Sequence, residues 1–103
     1  MDSRIELQTN LEAVLGSRNV YFQPPESLKL KYPAIVYGLA DIITDKADNR
    51  NYIRNHRYTV TLIHGDPDNE LKDTLLDEFT NISFDRVYAS DNLYHYVYDL
   101  YYD

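Results

Sequence analysis

Residues Ala47 to Phe79 read ADNRNYIRNHRYTVTLIHGDPDNELKDTLLDEF, and this stretch decides the fold. Its polar start leads into a segment in which Tyr58, Val60 and Leu62 alternate with threonines, as in a strand buried on one side. A turn with glycine and proline follows, and after it leucines recur at helical spacing. The order predicts a sheet that carries a short amphipathic helix. The stretch contains no catalytic constellation.

A second long strand is predicted before this one, over residues 34–44, which read AIVYGLADIIT. β-branched and aromatic residues on both faces favour a strand covered on both sides. Gly38 marks a possible bulge or bend. We expect residues 46–51 to form a projecting loop, and the antiparallel return strand to run from about Tyr52 to His64.

The return strand has two different faces. Its buried face is expected to hold the even-numbered residues and its wetter face the odd-numbered ones. The buried set is His56, Tyr58, Val60, Leu62 and His64, and the wetter set is Arg57, Thr59, Thr61 and Ile63.

Two helices are predicted. The first covers about residues 4–15, because Ser3 and Glu6 match a capping box and Gly16 is a typical helix end. The second covers residues 68–79, with Asp66 as its cap and Pro67 at its first position. Their apolar stripes are Leu7, Leu11, Val14 and Leu15, and Leu71, Leu75, Leu76 and Phe79.

The remaining strands are short. We expect one at Val20–Phe22, one at residues 82–90, and a last one from Leu93 to the end of the chain after a turn at Asp91 and Asn92. Together these elements predict an α+β fold, with a mainly antiparallel β-sheet and two α-helices packed on one face. The 103 residues are expected to form a single domain.

Composition excludes several functions. The net charge of −7, from 17 acidic and 10 basic residues, repels phosphate backbones and disfavours specific DNA binding. Without cysteine the chain has neither disulfides nor thiolate metal sites, which is compatible with the reducing cytoplasm. No window reaches the roughly 18 apolar residues of a membrane span, so we expect no membrane contact.

Tyrosine is the compositional outlier, with 11 residues, six of them between Tyr88 and Tyr102. Two interpretations stay open. The tyrosines of the last strand can pair across strands within one copy, or their polar tips can reach a subunit interface. Tyr98 and Tyr102 are the candidates for an interface.

Basic residues cluster at Lys46, Arg50, Arg54 and Arg57. This cluster is either a solvated loop and strand edge, or a surface complementary to an acidic partner or a neighbouring subunit. We take it as the best contact candidate. The rest of the candidate interface lies in the same segment, at Asp48, Asn49 and Tyr52.

No enzyme signature emerges. His56 and His64 lie about 26 Å apart at strand rise and cannot share one zinc ion. Asp68, Glu70 and Lys72 crowd into one helical turn, whereas a metal-dependent nuclease needs acids from separate elements. The chain also has no Gly-x-Ser-x-Gly elbow and no glycine-rich phosphate loop. We therefore predict a non-enzyme without a cofactor, although a small regulatory or nuclease module stays an alternative.

The order of these patterns resembles the tail terminator, or head–tail joining, proteins of long-tailed bacteriophages. The resemblance is carried by Pro33–Tyr37 (PAIVY), Ala47–Asn49 (ADN), Tyr58–Leu62 (YTVTL), the predicted helix over residues 68–79, and the closing aromatic strand. It spans nearly the whole chain.

The resemblance implies an assembly function. Such a protein would form a ring of six copies at the head-proximal end of the tail, where it stops polymerisation of the tail tube and joins the tail to the head connector. Its partners would be copies of itself, the major tail tube protein and the head-closure or connector protein, and DNA would pass the ring without specific binding. It would be assembled in the host cytoplasm and reside in the virion. A head-closure or connector component of the same neck is the alternative.

Overall fold

The structure, a computed structural model, describes residues 3–47 and 51–102, and within these ranges the side chains of all but residues 3, 43–47 and 51–55. Two helices and five strands follow one another along the chain. They are α1 (Ser3–Leu15), β1 (Val20–Phe22), β2 (Ala34–Ala47), β3 (Asn51–His64), α2 (Leu71–Glu78), β4 (Ile82–Ser90) and β5 (Leu93–Tyr102).

The strands form one sheet in the order β1-β2-β3-β5-β4. Strand β1 pairs with β2 in parallel, and the other three pairings are antiparallel. The predicted α+β fold with a mainly antiparallel sheet and two helices is confirmed.

The core lies between the helices and one face of the sheet. Helix α1 buries leucines four residues apart, which is the spacing of a single helical face. From the sheet, Tyr58, Val60 and Leu62 of β3 point toward them as predicted, and the even-numbered residues of β5 do the same. His56 and His64, predicted in the same buried set, are only half-buried. The buried cluster consists of Leu7, Leu11, Leu15, Val20, Ile35, Tyr37, Tyr58, Val60, Leu62, Leu75, Tyr96, Tyr98 and Leu100.

The face of the sheet opposite the helices, which holds the odd-numbered residues of β3, is less exposed to solvent than predicted. Ile63 is buried, and Thr59 and Thr61 are half-buried. The reason is that the loop after β1 crosses this face, where Pro24 and Leu30 border the same hollow as Ile63. The prediction of a wetter face therefore fails at Ile63.

The irregularity in β2 lies one step beyond Gly38. The register of β2 against β3 shifts between Leu39 and Asp41. Gly38 itself allows a close approach, since a Cβ atom there would lie 3.1 Å from Cγ of Gln23. Gln23 also accepts a hydrogen bond from the Leu39 N–H at 3.1 Å. The missing side chain at Gly38 therefore makes room for Gln23, which follows β1, and the bulge lies just after Gly38.

The turn between β4 and β5 is as predicted. Asp91 and Asn92 have φ angles of +54° and +64°. Two successive residues with positive φ form the tight turn whose twist matches an antiparallel hairpin, and aspartate and asparagine tolerate it best after glycine.

Helix α2 begins later than predicted, at Leu71 instead of residue 68. The carboxylate of Asp66 accepts the N–H of Asp68 at 2.9 Å, which closes a local turn and does not cap the helix. The side-chain oxygen of buried Asn69 instead accepts the Lys72 N–H at 3.0 Å. The helix entry is thus fixed by Asn69, and the prediction for Asp66 and Pro67 is wrong.

The loop predicted at residues 46–51 is also wrong in its bounds. Lys46 and Ala47 belong to β2, and Asn51 already belongs to β3. Only residues 48–50 separate the two strands, and they lie outside the described residues. No helix in the described ranges is long and apolar enough to span a membrane.

Candidate interaction surface

Strands β2 and β3, with 14 residues each, form a hairpin that extends past the other strands of the sheet. The last pair between β3 and β5 joins His56 and Tyr102. Strands β2 and β3 continue beyond it through five further pairs, from Ile43 with Asn55 to Ala47 with Asn51. We call residues 43–47 and 51–55 the hairpin arm. At strand rise it extends about 17 Å past the body.

In the arm, β2 and β3 pair only with each other. Within the described residues, neither β1 nor β5 accompanies it, since β1 pairs with residues 35–37 and β5 stops opposite His56. A two-stranded hairpin without a packed face is at best marginally stable in water. A contact with another molecule would therefore stabilise the arm.

The predicted contact residues fall into three groups. Lys46, Tyr52 and Arg54 lie on the strands of the arm. Asp48, Asn49 and Arg50 lie outside the described residues. Arg57 belongs to the body, where its guanidinium lies 3.4 Å from the carboxylate of Asp99 on β5. Both side chains of this ion pair are about one-third exposed, so it contributes little stability but orients Arg57 along the sheet.

Tyr98 is placed in the core and not on a surface. Its side chain is 0% exposed, and its hydroxyl donates a 2.8 Å hydrogen bond to the carbonyl oxygen of Lys72 in α2. Its ring meets that of Phe84 edge-on, with 5.6 Å between centroids. Of the two open interpretations of the tyrosines, pairing within one copy accounts for Tyr98.

Tyr102 joins β5 to the first helix. Its hydroxyl donates to the carboxylate of Glu6 and accepts from the side-chain amide of Asn10, both at 3.1 Å. Glu6 is therefore engaged with the sheet, whereas the sequence predicts it as part of a capping box. Tyr102 stays half-buried at the end of β5 from which the arm departs.

Burial also changes the acidity of Tyr98. Removal from water raises the pKa of its phenol well above the usual value of 10, and the negative charge of Asp73 adds to the rise. Burial raises the pKa of Tyr37 in the same direction. Both hydroxyls thus keep their protons at any physiological pH and act as donors.

This pKa predicts alkaline instability. Below pH 10 Tyr98 is protonated in both the folded and the unfolded chain, so its contribution does not change with pH. Above pH 10 the unfolded chain releases the proton while the folded chain retains it, and the free energy of unfolding falls as pH rises. In urea titrations between pH 8 and 11, Tyr98→Phe should flatten this fall.

The Tyr98→Phe variant should also lose roughly 1 kcal/mol at neutral pH through its hydrogen bond to Lys72. Tyr88→Phe, at an exposed tyrosine, is the matched control and should follow the parent chain. An unchanged alkaline slope in Tyr98→Phe would contradict the assignment.

A second surface, which the sequence did not predict, lies between α2 and β4. Leu76 was expected in the buried stripe of α2, but it is 38% exposed. It lines a groove of about 290 Å³ together with Phe84, Tyr96 and Tyr98. Further along β4, Val87 is 48% exposed. Val87 is the cross-strand partner of Tyr96, so it lies beside the groove. We call the surface formed by Leu76, Phe84, Tyr96 and Tyr98, with Val87 beside it, the α2–β4 groove.

Helix α2 beside the groove is acidic, although the two charged residues that line the groove itself are Lys72 and Asp73. Helix α2 carries Asp73, Asp77 and Glu78, all exposed, and Lys72 is its one basic residue. The Lys72 ammonium is engaged by the carbonyl oxygen of Asn69 and lies 3.7 Å from Asp73. The periodicity of α2 alone could not show this groove, because it depends on where β4 ends up beside the helix.

Metal chemistry finds no support in these positions. Among the side chains that the structure describes, no three histidine or acidic groups come together as a metal site would require. Asp68 and Glu70 are exposed on the segment that leads into α2. The groups that a nuclease would need on separate elements thus sit on one short stretch of chain.

Comparisons with known proteins add no relative: a scan against protein-family models found no match, and neither did a search of curated proteins.

Proposed function

We propose that this protein is a structural assembly protein that caps the head-proximal end of a bacteriophage tail. In this proposal six copies close into a ring that ends polymerisation of the tail tube. The ring then joins the tail to the head connector.

The hairpin arm is the observation that carries the proposal. Five strand pairs extend beyond the body without a third strand in the described chain. An element of this kind gains stability when another molecule covers it. In the proposal the arm of one copy meets the body of the next, so the contact is heterologous, which is the type that closes into rings.

The charge of the chain supports the same proposal. A net charge of −7 is unfavourable for binding DNA but suits a ring through which DNA must slide without sticking. The hairpin segment 45–57 is the exception, with four basic residues against two acidic ones. It would fix the register of a contact with an acidic neighbour.

The segments that carry the resemblance to tail terminators occupy structural positions. Residues 33–37 lead into β2 and start its pairing with β1, and residues 58–62 supply the centre of the core from β3. The arm stands between these two segments in sequence. A terminator-like chain would thus keep a rigid body and offer the hairpin to its neighbours.

Localisation tests the proposal. A specific antibody on purified particles, made from the genome that encodes this chain, is expected to label the head-proximal end of the tail in electron micrographs. Particles treated with pre-immune serum are the control. Label on tailless heads would favour the head connector component instead, and absence of the protein from particles by both labelling and mass spectrometry would overturn both assignments.

A further inference from the structure

We propose that the hairpin arm of one copy packs into the α2–β4 groove of a second copy of this chain. The inference rests on the part of the proposed function in which copies of the chain assemble with one another. It adds the receiving surface, which neither the sequence nor the resemblance indicates.

The apolar character of the groove is the first argument. Leu76 and Phe84 are 38% and 47% exposed, and they line the groove together with the largely buried Tyr96 and Tyr98. Strand β4 is the outer strand of the sheet, so its free edge runs along the same surface. An exposed apolar strip beside an unpaired strand edge is a typical acceptor for a further strand or hairpin.

The composition of the arm matches such a groove. Its two strands read ITDKA and NYIRN, so they bring isoleucine, tyrosine and threonine together with Lys46 and Arg54. Ile42, where the arm leaves the body, is also largely exposed. Apolar residues flanked by cations are what a groove beside an acidic helix would select.

Charge is the second argument. Residues 66–78, which include α2, carry six acidic residues and one lysine. The strands of the arm have the opposite balance, with Lys46 and Arg54 against Asp45. Two copies that meet through these surfaces attract each other, whereas the arms of two copies would repel. Charge therefore favours an arm-to-groove contact over an arm-to-arm contact.

Topology makes the contact intermolecular. The groove lies beside Tyr96 and Tyr98 on β5, whereas the arm begins beyond Tyr102 and continues away from them along the strand direction. Arm and groove are thus separate surfaces of one copy. Each copy can give its arm to one neighbour and receive the arm of another, which is the requirement for a closed ring.

Disulfide trapping tests the contact, and the absence of cysteine from the chain gives a clean background. One variant carries Thr44→Cys in the arm and the other carries Val87→Cys beside the groove. When the two are mixed and oxidised, a cross-linked dimer is expected at a several-fold higher yield than from either variant alone. Liquid chromatography with mass spectrometry of the digest should identify the peptide pair 44–87.

The matched control replaces Val87→Cys by Leu28→Cys, since Leu28 is 43% exposed but lies in the loop on the other face of the sheet. This mixture should give only the background yield. In a further variant, Leu76→Glu combined with Val87→Cys should lower the specific yield to that background, because the charge occupies the groove while the exposed position tolerates it.

The inference is overturned if the 44–87 yield equals that of the Leu28→Cys mixture, or if Thr44→Cys alone cross-links as well as the mixture does. Either result would leave the proposed function unaffected, because antibody labelling at the tail end does not depend on a contact between the arm and the groove. Conversely, a specific 44–87 cross-link in a protein that is absent from particles would support the contact and reject the tail assignment.

Discussion

Replacement of Leu11 by alanine is expected to lower the free energy of unfolding by about 2–5 kcal/mol. Leu11 is the central leucine of the α1 stripe, is 0% exposed and belongs to the one buried cluster between the helices and the sheet. The loss combines the transfer of the deleted methyl groups into water with the cavity they leave, because a close-packed core relaxes only in part. Urea denaturation followed by circular dichroism measures it.

Ile5→Ala provides the matched control, since Ile5 lies in the same helix and is 57% exposed. It should change stability by no more than about 0.5 kcal/mol, as is usual for surface positions. Equal losses in the two variants would mean that α1 does not bury its Leu7–Leu15 stripe against the sheet.

Removal of the arm is expected to abolish assembly and to leave the body folded. In the deletion variant, residues 43–55 are replaced by Asn-Gly, which joins Ile42 to His56 through a tight two-residue hairpin turn. The described core lies entirely in the body, and β5 pairs with β3 only as far as His56. The shortened chain should therefore unfold cooperatively, with a stability close to that of the parent, and should remain monomeric at every concentration.

A variant with the full arm and the Leu28→Ala substitution controls for surface change elsewhere, and it should assemble as the parent does. Sedimentation velocity over a concentration series distinguishes the two outcomes. A deletion variant that forms the same oligomer as the parent would place the contact between copies on another surface.

Much of the fold could be predicted because it depends on local patterns. The stripe of α1, the alternation in β3 and β5 and the Asp91–Asn92 turn each follow from the spacing of residues in sequence. Each was found within a residue or two of its predicted place.

The errors arose where a local pattern had two structural outcomes. Lys46 and Asn51 are polar and look like loop residues, yet strands of a projecting hairpin need no apolar face in one copy. Asp66 before Pro67 looks like a helix cap, but buried Asn69 makes that hydrogen bond. The choice between the two was decided by tertiary packing, which the sequence pattern does not contain.

The candidate site was predictable only in part. The basic cluster pointed to the hairpin, and the strand pairing now gives that hairpin its length. The tyrosine pattern could not say which face of β5 the helices cover, and therefore could not show that Tyr98 is buried beneath α2 within one copy. The α2–β4 groove escaped prediction because it joins two elements that meet only in the folded chain.

The length of tails in infected cells directly tests the proposal that this protein ends polymerisation of the tail tube. Cells that supply the parent chain to a phage lacking this gene should yield tails of one fixed length joined to heads. Cells that supply the arm-deletion variant should yield overlong, headless tails in electron micrographs, because nothing ends the polymerisation of the tube. Tails of normal length that are joined to heads in the presence of the deletion variant would contradict the account.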